Sequence, residues 1–393
     1  MKQKYIFILL AVLSAVFACT RIDEGQLGTE EPAQEKVKMT FTAVIDETDN
    51  TKTLLEGAVG DGFRNVLWQP GDAIGVVSAQ DNDKYNYSSV EKFVATIEEP
   101  ALSSEFDGAA TFSSSYKAFY PYSETVRDSS TCFIFTLPSE QKYMANSFDP
   151  AAAPMVAVAE YGETFKFRNL CGVLALQLTG EEAVKSIVFS GFDEAGNMIK
   201  VSGQFEVDPH KETLSVVPLW KSYGSVTMTC DKPVKLDPVN PTAFHMVLPA
   251  GTYSTFTVMI VTEDNVMLKQ ATKPLTIKRA EVQPTAALMY VETVSVDLSK
   301  AGTANSYIVN GPGLYSFDAS VIGNGDFGII KGANFHTDDS RITPASAELL
   351  WEDHSGSVLG VTYENGVIKF MTTGVEGNAV IAAKDADGTI LWS

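Results

Sequence analysis

The sequence predicts an all-β protein, and three observations predict it. Apolar residues recur with a period of two along much of the chain, the signature of half-buried strands. Clusters of Gly, Pro, Asn and Asp break these stretches at short intervals, as turns do. No segment keeps helical apolar spacing over three turns. Many short strands joined by regular turns point to β-sandwiches. The composition suits a folded chain: 45% of the 393 residues are apolar and 20% charged. That length gives roughly two to four domains, each large enough to bury its own core. With 49 acidic against 29 basic residues the formal charge is −20. This excess argues against nucleic acid, which is bound through clustered Lys and Arg. No apolar run reaches the ~20 residues of a spanning helix.

The first element is a leader. Lys2 and Lys4 precede Tyr5–Ala18, where only Ser14 interrupts an apolar run. This is a signal-peptide core, too short for a permanent span. It ends Val16-Phe17-Ala18-Cys19, which resembles the bacterial lipobox. Cleavage between Ala18 and Cys19 then leaves Cys19 to be acylated; a simple secreted protein cut after Ala18 is the alternative. At ~0.8 kcal/mol per buried methylene, several acyl chains anchor a protein stably. Losing residues 1–18 leaves 27 basic and 49 acidic residues, a charge of −22. Thr20-Arg21-Ile22-Asp23-Glu24 resembles the surface-export signal of Bacteroides-type lipoproteins. The alternative is a plain solvated tether on a periplasmic protein, and residues 19–36 are polar enough for one.

Strands follow. Val37, Met39, Phe41, Ala43 and Ile45 alternate with polar residues; so do Phe256, Val258 and Ile260, Thr303 to Val309, and Tyr315 to Val321. The continuous apolar run 170–176 fits a strand buried between two sheets. Turns are expected at Pro70-Gly71-Asp72, Asp193–Asn197, Pro249-Ala250-Gly251, Gly311-Pro312-Gly313 and Asp385–Gly388. The Ala/Pro-rich stretch Asp149–Met155 and the turn at Tyr161-Gly162 suggest a first break near 163, and Lys300-Ala301-Gly302 a second near 293. The expected organisation is therefore a leader at 1–18, a tether at 19–36, sandwiches at 37–163 and 164–292, and a C-terminal β-rich domain at 293–393. Beyond Cys19 three cysteines remain, Cys132, Cys171 and Cys230, an odd number that cannot all pair within one chain. Cys171 lies in an apolar run and reads as a small buried hydrophobe. A Cys132–Cys230 disulfide has no support from spacing.

Several motifs then form an ordered series. Thr51-Lys52-Thr53 and Val66-Leu67-Trp68-Gln69-Pro70-Gly71-Asp72-Ala73-Ile74-Gly75-Val76 come first. Ala118-Phe119-Tyr120-Pro121-Tyr122 and Leu137-Pro138-Ser139-Glu140-Gln141 follow, then Phe165-Lys166-Phe167-Arg168-Asn169-Leu170-Cys171-Gly172-Val173-Leu174. In this order and spacing they resemble the fimbrillin-like (Mfa-like) surface lipoproteins over roughly residues 37–292. The resemblance implies two tandem transthyretin-like β-sandwiches and a pilus subunit or related adhesin. It implies partners of the same kind, taken up by strand exchange: a neighbour's β-strand fills a groove that proteolysis after a basic residue has opened. Lys36, Lys38, Lys52 and Arg64 are the candidates for that cut. Asp297–Ser299, Gly302–Val309, Gly323-Asn324-Gly325 and Gly377–Ala383 look like a β-domain often attached to such lipoproteins. In that domain the last strand runs on beyond residues like Ile390–Ser393, so this chain is expected to stop inside it. An added domain in place of a short donor tail favours a tip, accessory or non-polymerising member.

Chemistry is sparse. His210, His245, His336 and His354 lie more than five residues apart, so no local zinc motif exists. No nucleophile elbow or phosphate-binding Gly-Lys-Ser/Thr loop is present. Gly323-Asn324-Gly325-Asp326-Phe327-Gly328 matches a dinucleotide fingerprint, but Ile329–Gly332 starts no helix to receive a pyrophosphate. Asp81-Asn82-Asp83 and Asp385-Ala386-Asp387-Gly388 space carboxylates as calcium loops do, yet lack the glycine where it is needed and read as turns. The acid pairs Glu181-Glu182 and Asp338-Asp339 read as solvated. No catalytic, cofactor or metal assignment is made. A second reading is a surface glycan-binding lipoprotein, which needs exposed aromatic rings; Trp351 is open to that role, while Trp68 reads as core. A glycosidase, the third, needs two carboxylates ~5–10 Å apart in a cleft.

Overall fold

The computed structural model describes residues 35–46, 67–78, 88–129, 131–262, 265–271, 273–311, 313–322, 341–354, 356–372 and 376–393. Apart from one 3-10 turn at Pro150–Ala152, every regular element among them is a strand. The protein is all-β, as the period-two pattern predicts.

Seven strands close into a barrel in the order Lys36–Ile45, Phe165–Asn169, Met155–Glu160, Ser115–Tyr120, Ala73–Ser78, Glu91–Ala95 and Ser103–Thr111. Alternation sets their inward faces. Phe165 and Phe167 are buried while Lys166 is exposed between them. A second sheet, ordered Val217–Tyr223, Ser202–Val207, Phe133–Leu137, Arg127–Asp128 and Ser88–Ser89, lies against this barrel. Its Phe133, Phe135, Leu137, Phe205 and Val207 belong to the barrel's apolar cluster. Strands from both sides of residue 163 therefore share one core.

The run Cys171–Thr179 pairs with Thr242–Pro249 and, in parallel, with Val282–Pro284. Both faces of this sheet are buried, which explains its unbroken apolar sequence. Cys171, Val173 and Val247 face the barrel cluster; Leu174, Leu176, Phe244 and Met246 face a second cluster. That second cluster is closed by a sheet ordered Val266–Ala271, Thr255–Thr262, Ala183–Phe192, Ser225–Lys235 and Glu140–Lys142. The segment 133–142 thus serves two sheets. Phe133–Leu137 pairs with Ser202–Val207, and Glu140–Lys142 pairs with Ser225–Lys235. Between them Gln141, itself buried, donates its side-chain amide to Val247 O (2.8 Å) and accepts from Val247 N (2.9 Å). One side chain thereby satisfies both backbone groups of a buried strand edge, which would otherwise be costly.

The C-terminal region forms two small sheets. One runs Val296–Asp297, Gly313–Asp318, Val367–Thr372, Val358–Glu364; the other Ser346–Glu352, Ala379–Lys384, Ile390–Trp392. Met371 packs with Met259 and Val188 on the preceding sheet. One sequence expectation fails here: Thr303–Val309 is not a strand. Both edges of Gly313–Asp318 are already taken, by Val296–Asp297 and Val367–Thr372. The segment is instead pinned by a side chain, with the Tyr307 ring 5.2 Å from Phe317 and its hydroxyl accepting from Ala304 N. Ile308 stands almost wholly exposed.

Candidate functional site

Lys36–Ile45 lies parallel to Phe165–Asn169, with Ala43 opposite Phe165 and Ile45 opposite Phe167. Asp46 N donates to Phe167 O at 2.9 Å. Towards Ser103–Thr111, Thr40 Oγ1 donates to Asp107 Oδ1 at 2.6 Å. Inward, Phe41, Ala43 and Ile45 are buried and Met39 is partly so. The Phe41 ring sits 4.9 Å from Tyr116, 5.0 Å from Phe165 and 5.3 Å from Phe93. Burial of Phe41 and Ile45 contributes on the order of 3–6 kcal/mol together, with the edge-on ring contacts adding a little more. The rest of the barrel thus forms an aromatic groove, and three alternate side chains of one strand fill it.

The groove's floor explains the sequence motifs. Trp68 is fully buried, as expected, and its ring lies 5.0 Å from Phe106 and 5.4 Å from both Tyr120 and Phe167. The expected turn at Pro70-Gly71-Asp72 is present, with Gly71 at φ +85°. Asp72 accepts from Gln69 N (2.8 Å) and from the Tyr120 hydroxyl (3.1 Å). Burial pushes the Asp72 carboxyl above its ordinary range, against the pull of those two donors. Burial and the Asp72 charge push the Tyr120 phenol well up, so it stays a donor. The two motifs therefore meet through the Tyr120 hydroxyl and the Asp72 carboxylate.

Lys36 and Lys38 are exposed at the leading end of the strand. Ala18, Cys19, Lys52 and Arg64 lie outside the described residues, as do Gly323–Gly328, Asp81–Asp83, Asp338-Asp339 and His336. Asp385 accepts from Asp387 N and Thr389 N, so that stretch is a turn as expected. Among the described residues no three His, Cys, Asp or Glu side chains are grouped to hold a metal. Cys132, Cys171 and Cys230 are free, and burial raises the Cys171 thiol to about 12. A polar cavity of about 460 Å³ includes Asp297 and Asp318. Each carboxylate there is held by a serine two residues on, Ser299 and Ser320, so both serve local turns. No helix among the described residues is long and apolar enough to cross a membrane.

No protein-family model and no curated protein matches the chain. Solved structures do. A protein assigned to cell adhesion from Bacteroides ovatus is 10% identical, with 66% of this chain and 93% of that one covered, at a TM-score of 0.38. A fimbrial assembly protein from Parabacteroides distasonis is 8% identical, covering 64% and 90%, at 0.29. The tip fimbrial protein Mfa3 from Porphyromonas gingivalis is 9% identical, covering 61% and 82%, at 0.24. These three structural neighbours are proteins of cell adhesion and of fimbriae.

Proposed function

We propose that the protein is a non-enzymatic cell-surface lipoprotein, a pilus tip or accessory subunit or an adhesin, held to the outer membrane through Cys19. Its barrel trades its own first strand for a strand of another subunit. One observation carries this reading: Phe41, Ala43 and Ile45 of one barrel strand are buried, with the Phe41 ring against Phe93, Tyr116 and Phe165. Strand addition in such a groove gains affinity from backbone hydrogen bonds and specificity from alternate side-chain pockets. The same geometry ranks the basic residues. A cut after Lys36 or Lys38 leaves Phe41–Ile45 on the barrel, whereas a cut after Lys52 or Arg64 detaches the whole strand. Of the four candidates Lys36, Lys38, Lys52 and Arg64, this reading therefore favours a cut after Lys52 or Arg64.

Full-length protein treated with trypsin and run unheated in detergent should give multimers whose new N-termini are Thr53 or Asn65. The Lys52→Ala/Arg64→Ala variant should give none. Chains that have lost residues 36–45 and remain monomeric would overturn the reading.

A second reading, glycan binding without polymerisation, is favoured by Trp220. Residues 219–221 bulge out of the edge strand Val217–Tyr223 opposite Gln204. Trp220 there is 84% exposed, with Lys221 Nζ 4.6 Å from its ring centre. Retardation in polysaccharide gels that Trp220→Ala abolishes would support this reading.

A further inference from the structure

The C-terminal sheets meet the rest of the fold over a cavity. In the strand Ala183–Phe192, Ile187 and Phe189 face the second cluster, so Ser186, Val188 and Ser190 face away from it. Ladder pairing extends this outer face. Val188 lies opposite Thr227 and Met259, and Ser190 opposite Ser225 and Thr257. Against it stands the strand Val367–Thr372, whose Met371 clusters with Val188 and Met259. Lys369 shares the face of Met371 by alternation, while Ile368 and Phe370 serve the C-terminal clusters. Beside the Met371 contact a cavity of about 280 Å³ remains, close to the ~300 Å³ at which ordinary ligand pockets begin. Gly360, at φ +58°, forms part of its wall, and a Cβ there would come within 2.4 Å of the Met259 methyl.

The lining has two characters. Val188, Met259, Val261 and Val266 make an apolar floor, and the C-terminal sheet adds Leu314 and Leu359. Ser186, Ser225, Thr227 and Thr362 border that floor with hydroxyls. Lys369 is the one charged residue among those lining the cavity, in a chain whose formal charge is −20. Its ion-pair partner Glu364 stands 3.8 Å away with a side chain 64% exposed, and a pair so solvated is weak. The ammonium is therefore open to a second anion. Next to Ser225, Ser190 and Thr257 are each 1% exposed, and neither hydroxyl has a partner among the described residues. Unspent hydroxyl donors and an ammonium beside an apolar floor suit a carboxylate with an apolar tail. A saccharide calls for a ring to stack on and a divalent cation for carboxylates, and the lining holds neither. We propose that this cavity binds a short aliphatic monocarboxylate. Its carboxylate pairs with Lys369 and accepts from Thr362, which lies opposite Lys369 on the neighbouring strand. Its chain covers the valine and methionine floor. The walls come from two sheets, so the ligand ties the C-terminal region to the sheet of Ala183–Phe192.

The site does not depend on strand exchange, since none of residues 36–45 lines the cavity. Full-length protein with isotope-labelled methionine methyls is titrated with sodium hexanoate and followed by NMR. The Met259 methyl resonance, assigned with Met259→Leu, should move and saturate, and the melting temperature should rise with hexanoate. Hexylammonium chloride, with the same tail and the opposite charge, should leave that resonance in place. Lys369→Gln should weaken hexanoate binding about tenfold, the size of one hydrogen bond to a charged group. Thr227→Phe should fill the cavity and abolish binding; if that variant fails to fold, Lys369→Gln, at a partly exposed position, still decides. A Met259 resonance that hexanoate never moves, a matching response to hexylammonium, or an affinity that Lys369→Gln leaves unchanged overturns the site.

Discussion

Trp68 in the barrel is wholly buried among three aromatic rings, while Trp351 in the C-terminal region is 53% exposed. The contrast runs through both regions. All twelve of the largest fully buried side chains fall between Trp68 and Tyr253. The C-terminal sheets instead close over two clusters with three buried residues each: Tyr315, Val358 and Phe370, and Ala319, Ile368 and Ala383. Ion pairs differ in burial too, and Lys278–Glu281 is at least as exposed as those of the C-terminal sheets. Lys117 and Asp128 meet at 2.6 Å with almost no exposure, joining the barrel to its covering sheet. The Lys369–Glu364 and Lys384–Glu348 pairs are partly in water. Buried apolar side chains are thus concentrated in the barrel cluster and the second cluster rather than in the C-terminal sheets.

The contrast can be broken, starting with the largest expected effect. Trp68→Ala should cost about 5 kcal/mol in urea unfolding, since a large cavity opens in a packed core; Trp351→Ala should stay within about 0.5 kcal/mol. Lys117→Met should cost about 4 kcal/mol because Asp128 is left buried and uncompensated, and adding Asp128→Leu should recover most of it. Lys369→Ala should cost under about 1 kcal/mol. Gln141→Leu should cost about 2 kcal/mol by stripping both partners from Val247, with faster hydrogen exchange at the Val247 amide as the local readout.

The smallest effect sharpens the C-terminal side. The Asn378 side chain and backbone, then His354, hold the exposed Asp353 carboxyl down at about 2. Its folded value lies below its unfolded one, so its contribution is present above about pH 4 and lost as the pH falls toward 2. Hydrogen exchange in residues 346–384 should quicken across that window, and Asp353→Asn should flatten the change.

Much of this was readable from the chain. Alternation found the first strand and its inward Phe41, Ala43 and Ile45, though Val37 of the same series is exposed, and the unbroken run 170–176 foretold a strand with two buried faces. Trp68 was legible as core. Thr303–Val309 was misread because alternation states what a strand would bury, not whether a neighbouring edge is free. Gln141 and Lys117 gave no local signal: the first finds its partner 106 residues away, and the second sits in Ser115–Tyr120 where both faces are covered. The groove was implied by motif order alone. Its lining rings, Phe93, Tyr116 and Phe165, come from strands that only the barrel's closure brings together.

The double duty of residues 133–142 bears on how such proteins can diversify. A genetic crossover between the codons for 142 and 202 would hand the recombinant a Phe133–Leu137 segment from one parent and its ladder mate from the other. Every backbone bond and ring contact across that seam would have to match at once. The front two-thirds of the molecule is thus expected to tolerate such exchanges poorly, and the C-terminal sheets, with their small clusters, to tolerate them better.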